Sequence, residues 1–183
     1  ELAKKEGAFV LEHATNMGKG MALRTGFRYA LKNGCDAVIT LDADGQHDPS
    51  EIKNFLREYY NNSGDIIIGV RLWDRKVIPL ARYMANAIGK FCISRAAGCD
   101  IQDSQSGFRL YRKEVIERIH LETKGFETET EVLIKAGKMG FRIYNLPVSA
   151  IYPRCYKTHF RPVKDFWRIS ILFLRLIFFG GVR

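Results

Sequence analysis

The sequence predicts an α/β domain built on a mixed, mainly parallel sheet flanked by helices. Short apolar runs rich in β-branched residues, GAFVL, AVITL and DIIIGV, alternate with segments of helical periodicity. Gly and Asp punctuate the joins. A chain of 183 residues, 46% of them hydrophobic, is long enough to bury one ordinary core.

Taken in order, Gly7 to Leu11 reads as a short strand, and a helix follows from about Lys19 to Asn33. Ala22, Leu23, Phe27, Ala30 and Leu31 form its apolar face, with Arg24, Arg28 and Lys32 opposite and Gly34 suited to the C-terminal cap. With the Asp36 to Leu41 strand these make a right-handed βαβ unit. Asp48-Pro49-Ser50-Glu51 starts the next helix: Asp48 caps it, Pro49 fits its first turn, and Glu51 is spaced to complete a capping box. That helix runs to about Tyr60. Asp65 to Val70 is a buried strand, Leu80 to Ala96 a helix, and Gly107 to Tyr111 a strand. Lys113 to Ile119 and Thr128 to Lys138 read as helices, and Phe141 to Ile151 closes the sheet before Pro153.

Charge and cysteine usage narrow the function classes. Lys plus Arg number 29 against 20 Asp plus Glu, a net +9 that implies anionic partners. Seven of those basic residues and a single acid fall in the last 32 residues, beside an apolar helix. That placement favours a membrane surface over nucleic acid, which needs a basic, aromatic-bearing groove. Four widely spaced cysteines without a C-x-x-C pair argue against zinc and a disulfide framework. No apolar run of about 18 uncharged residues marks a membrane span.

The chemistry concentrates in ITLDADGQHDP, residues 39–49. Two carboxylates one residue apart at the end of a buried strand need a cation or a ligand nearby. On extended backbone Asp42 and Asp44 face one side, where one hard cation, Mg²⁺ or Mn²⁺, bridges them. The same acids also suit turn and cap roles. An EF-hand fails, because His47 and Lys53 occupy the positions that need Gly and Glu. A Walker A loop fails around Gly18-Lys19, where His13 and Gly20 break the pattern. Two glycines and a lysine in NMGKGMA, residues 16–22, still sit at a helix start that favours an anion, or else form an ordinary Gly-rich turn.

Four motifs in register then carry a resemblance: Asn16-x-Gly18-Lys19-Gly20-x-Ala22, Asp42-Ala43-Asp44-Gly45-Gln46-His47, Ser106-Gly107-Phe108-Arg109, and Gly140-Phe141-Arg142-Ile143 through Pro147-Val148. Their order resembles family 2 glycosyltransferases, most of all the dolichol-phosphate mannosyltransferase and polyprenyl-phosphate glycosyltransferase group. The resemblance implies a GT-A fold over residues 1–153 that lacks the first two family strands, so that GAFVL and AVITLD correspond to the third and fourth. It implies Mg²⁺ or Mn²⁺ held by Asp42, Asp44 and Gln46 against the diphosphate of a nucleotide-sugar, with Lys19, Gly20 and Ala43 on the donor.

The same resemblance places Asp103 and Arg109 as catalytic residues, and Arg71, Arg82 and Ser106 at acceptor or donor phosphates. Asp103 either positions substrate, acts as base or stabilises its loop, and the two arginines equally suit a solvated surface. Glu127, Glu129 and Glu131 mark an acidic helix start near the acceptor side, which also matches the helix dipole. Residues 154–183 form a basic amphipathic segment whose helix suits an anionic membrane surface, or packing on the domain or in a homo-oligomer.

The function expected is an inverting, metal-dependent transfer of a sugar from GDP-mannose or a UDP-hexose to a polyprenyl or dolichyl phosphate at the cytoplasmic face of a membrane. Two alternatives stay open: a family 2 transferase acting on a saccharide hydroxyl, and a non-catalytic nucleotide-sugar or membrane-surface binding module.

Overall fold

The computed structural model describes residues 1–71, 80–149 and 151, with the backbone alone at 80–86 and 88. The helix expected over 154–183 lies outside the described residues.

Four strands form one mixed sheet: β1 (Ala37–Thr40), β2 (Ile66–Arg71), β3 (Arg109–Arg112) and β4 (Ile143–Val148), in spatial order β1-β3-β2-β4. β3 pairs antiparallel with both β1 and β2, while β2 and β4 are parallel. β1, β2 and β4 therefore run the same way, and β3 alone opposes them. The carboxyl ends of those three strands and the start of β3 share one edge of the sheet. Arg109 sits at that edge, opposite Thr40 on one side and Ile68 on the other.

Both faces of the sheet are covered, which explains the unbroken apolar run of β2. Ile66 and Ile68 belong to a core with Phe27, Ile93, Tyr111, Val132 and Leu133, under the helices α2 (Lys19–Lys32), α4 (Leu80–Ala97), α5 (Lys113–Arg118) and α6 (Glu127–Lys138). Ile67, one residue along, faces the opposite way into a core with Phe55, Phe108, Leu110 and Leu146, under α3 (Ile52–Tyr60). Burying one such Ile side chain contributes about 1.5–3 kcal/mol.

The N-terminal expectation is corrected. Residues 2–5 form a single helical turn, α1 (Leu2–Lys5), and residues 8–13 pair with no strand among the described residues, so the βαβ unit with β1 does not form there. A strand exists only through its ladder. Phe9, 72% exposed, instead stacks on Tyr29 of α2 at 4.9 Å. The capping box is also half made. Asp48 accepts from the Ser50 N–H at 2.8 Å, while the Glu51 carboxylate turns to Asn54 and the Ser149 N–H. Among the described residues no helix is long and apolar enough to cross a membrane.

Candidate active site

The edge that gathers three strand ends brings together the loop after β1, the end of β2 and the segment leading into β3. β1 stops at Thr40 and the chain turns at Ala43 and Asp44, so the alternation of an extended strand does not reach the two carboxylates. They take different partners. Asp42, half-buried, receives the Lys19 ammonium on both oxygens, at 2.7 Å to Oδ1 and 2.9 Å to Oδ2. Asp44, exposed, accepts the Gln46 N–H at 3.0 Å and so shapes its own turn. Ala43 is exposed beside it.

Gly107 makes room for this arrangement. A Cβ there would meet the Asp42 carboxylate directly, so only a residue without a side chain leaves that carboxylate in place.

Lys19 has a second anion. Its Nζ lies 2.8 Å from Glu129 Oε1, and the Glu129 side chain is only 4% exposed. Burial opposes the charge on Lys19, but Glu129 and Asp42 outweigh it and hold the ammonium pKa above its ordinary value. The Lys19 ammonium thus bridges the acidic loop to the first turn of α6.

Gly20 does not contribute an anion nest. Its N–H donates to the Lys124 carbonyl at 2.9 Å, and a Cβ there would collide with Lys124 and Thr128. The glycines of NMGKGMA let α2 press its first turn against the 124–128 turn.

Arg71 and Asp103, expected to act separately, form a two-pronged pair: Nε to Oδ2 at 2.8 Å and Nη2 to Oδ1 at 3.0 Å. Asp103 Oδ1 also accepts the Gln105 N–H at 3.1 Å. The Arg71 Nη1 reaches Gln46 Oε1 at 3.5 Å, so one guanidinium touches both the acidic loop and the segment before β3.

Arg109 and Ser106 are corrections. Arg109 is fully buried, and its guanidinium donates to the carbonyls of Ser106, Glu129 and Ser104, each at 2.7 Å. It positions the 104–106 segment and touches no open space. Ser106 is equally buried and its Oγ accepts the Phe108 N–H at 3.3 Å, which closes a turn instead of facing a phosphate. The side chain of Arg82 lies outside the described residues.

Three groups at this edge escaped prediction or changed role. His47 is 5% exposed, lies edge-on to Phe108 at 5.3 Å, and has no partner for Nδ1 among the described residues. Burial and the neighbouring Arg71 push its pKa down. Glu129 and Glu131, expected as acids of a helix start near the acceptor side or matched to the helix dipole, are both buried. Glu131 accepts from the backbone of Glu122 and Thr123 and from Lys135, which pins the turn that covers α2. The charge-rich helix start was the signal for both, and a buried partner for Lys19 was its unread content.

The oxygen donors of Asp42, Asp44 and Gln46 fit a hard divalent cation. Among the described residues no three His, Cys, Asp or Glu side chains are grouped so as to hold a metal ion by themselves. An exposed Asp44 and a nearby amide oxygen suit Mg²⁺ or Mn²⁺, which keep several positions for water and phosphate oxygens.

The chain belongs to glycosyl transferase family 2, whose family model matches residues 1–120. It is 33% identical over 147 residues to a UDP-N-acetylglucosamine–dolichyl-phosphate N-acetylglucosaminyltransferase of Methanococcus voltae, covering 78% of this chain and 59% of that protein. It is 28% identical over 155 residues to an undecaprenyl-phosphate mannosyltransferase of Micrococcus luteus, covering 81% and 63%. The chain thus spans about three-fifths of the length of these relatives. Among solved structures, glucosyl-3-phosphoglycerate synthase of Mycobacterium tuberculosis, in complex with Mn²⁺ and uridine-diphosphate-glucose, superposes with a TM-score of 0.62 at 20% identity, covering 99% of this chain and 63% of that one. That likeness shows the shared fold, the GT-A arrangement.

Proposed function

We propose that the protein transfers a sugar, with inversion and with the help of a divalent cation, from a nucleotide-sugar to a polyprenyl or dolichyl phosphate. The observation that carries this reading is the meeting of the acidic loop, residues 42–46, with the Arg71–Asp103 pair at one sheet edge. Support comes from the relatives named for polyprenyl-phosphate and dolichyl-phosphate transfer, and from the Mn²⁺ and nucleotide-sugar of the similarly folded synthase.

Asp42, Asp44 and Gln46 would hold Mg²⁺ or Mn²⁺, which supplies positive charge to the donor diphosphate as it leaves. Arg71 presents positive charge between that loop and the segment before β3, where an acceptor phosphate would be drawn. Both oxygens of Asp103 are engaged by Arg71, which suits a positioning role better than proton abstraction. A phosphate monoester needs little deprotonation, since its second pKa is about 6. In-line attack by a phosphate oxygen on the anomeric carbon would invert its configuration, and binding both reactants in line supplies much of the acceleration. A lipid-borne acceptor places the reaction at a membrane face, with the basic segment 154–183 as the surface contact.

Calorimetric titration with GDP-mannose, UDP-glucose and UDP-N-acetylglucosamine, with Mn²⁺ or chelator, tests the reading. Metal-dependent binding of one donor by native protein, lost in Asp44→Ala, followed by sugar transfer to a polyprenyl phosphate, is the expected result. Transfer only to a saccharide hydroxyl, or binding of none of the donors, would overturn it.

A further inference from the structure

We propose that Lys19 is a resident counter-ion that withholds Asp42 from a divalent cation until a nucleoside diphosphate arrives, so that metal and donor load together. This rests on the reading of the acidic loop as the metal and donor site.

The Lys19 ammonium lies within hydrogen-bond distance of both Asp42 oxygens, 2.7 and 2.9 Å, the approach a chelated cation would use. Its other side is anchored 2.8 Å from Glu129, whose carboxylate is buried and fixed in the first turn of α6. Burial restricts Lys19 as well, with a side chain 20% exposed, so the contact is screened less than a surface ion pair. Glu129 has Arg109 as a further cationic neighbour, so the inner charges, Lys19 and Arg109 against Asp42 and Glu129, balance.

A divalent cation that reaches the loop alone meets one carboxylate, Asp44, that has no ammonium partner among the described residues, and the amide oxygen of Gln46. A diphosphate adds the negative charge that is otherwise missing. The consequence is weak binding of metal alone and strong mutual enhancement between metal and nucleotide. Anchoring to Glu129 also lets Lys19 give up Asp42 without leaving the site.

Free Mn²⁺ counted by electron paramagnetic resonance, with and without UDP or GDP, tests this in the native protein, Lys19→Met and the charge-matched Lys19→Met/Glu129→Gln. Removing a unit charge this close predicts a gain of about tenfold or more in nucleotide-free Mn²⁺ affinity in a folded Lys19 variant. The enhancement by nucleotide should shrink to match. The double variant keeps the test available if Glu129 without its ammonium prevents Lys19→Met from folding. A merely structural Lys19 would leave Mn²⁺ affinity unchanged or lower it in both variants, and that result overturns the inference. Native protein that binds no Mn²⁺ even with either nucleotide overturns the functional reading itself.

Discussion

Arg71, the last residue of β2, and Asp103, in the segment before β3, meet through two parallel hydrogen bonds of 2.8 and 3.0 Å. The pair joins two segments 32 residues apart at the sheet edge where the acidic loop lies. Planar two-pronged geometry is specific to arginine, so lysine is not an equivalent.

A double-mutant cycle on Arg71→Ala and Asp103→Ala should show coupling on the order of 1–3 kcal/mol in urea unfolding, because either single change strands a largely buried partner. If Asp103 positions and does not abstract a proton, Asp103→Asn should lower turnover while leaving the pH profile in place. A shifted acidic limb in that variant would instead assign it the role of base.

Arg109 holds three backbone carbonyls from a fully buried position. Arg109→Met leaves those acceptors unmatched and should destabilise the protein by about 3–5 kcal/mol. Denaturant midpoints give the number, and a cost near zero would refute the clamp.

At Gly107 the expected effect is local. Gly107→Ala puts a methyl where the Asp42 carboxylate lies, so Asp42 must move. Metal-dependent donor binding should fall by about tenfold or more, since overpacking costs roughly 1–3 kcal/mol. Calorimetry with the cognate donor and Mn²⁺ measures it, and Gly89→Ala, where a Cβ meets nothing within 4 Å, is the control.

The pH dependence follows from Glu131. Burial opposes its charge, but hydrogen bonds from Lys135, Thr123 and Glu122 prevail and lower its pKa below the ordinary 4.5. A carboxylate with a depressed folded pKa adds stability above its unfolded value, and the addition disappears as pH falls through the folded one. Glu131→Gln should therefore cost about 2 kcal/mol at neutral pH. The gap to native protein should narrow as pH falls below 4.5 and close once it has passed the lowered folded pKa, in thermal melts taken across the acid range.

Much of the framework was legible because it rests on local pattern. Apolar β-branched runs gave β1 and β2, and the helical spacing of Leu23, Phe27 and Ala30 gave α2. The Asp48 cap was readable from four residues. GAFVL misled because an apolar run records a tendency to extend and says nothing of whether a neighbour is there to pair. The insertion of β3 between β1 and β2 has no local signature either.

Site residues divided in the same way. The acidic loop and Arg71 were expected at the carboxyl ends of strands, and Arg71 there meets both Gln46 and Asp103. What sequence did not disclose was which charges would be spent on one another. Arg109 stood as functional through the resemblance alone, and only tertiary contacts reveal the three carbonyls that it holds. Lys19 with Glu129, and Arg71 with Asp103, are pairings across elements whose residues each looked available on their own.

The opposed middle strand has a kinetic corollary. β3 must enter between β1 and β2 before the sheet is continuous, and its contact with β1 closes 69 residues of chain. Loop closure of that span is slow and offers no reward until both ladders zip. Gly107 and Ser106 lie just before the same strand, so the seat for Asp42 is completed only when this long closure is made. A chain that has not yet placed β3 lacks the seat for Asp42 and leaves the edge of β2 that β3 pairs with open.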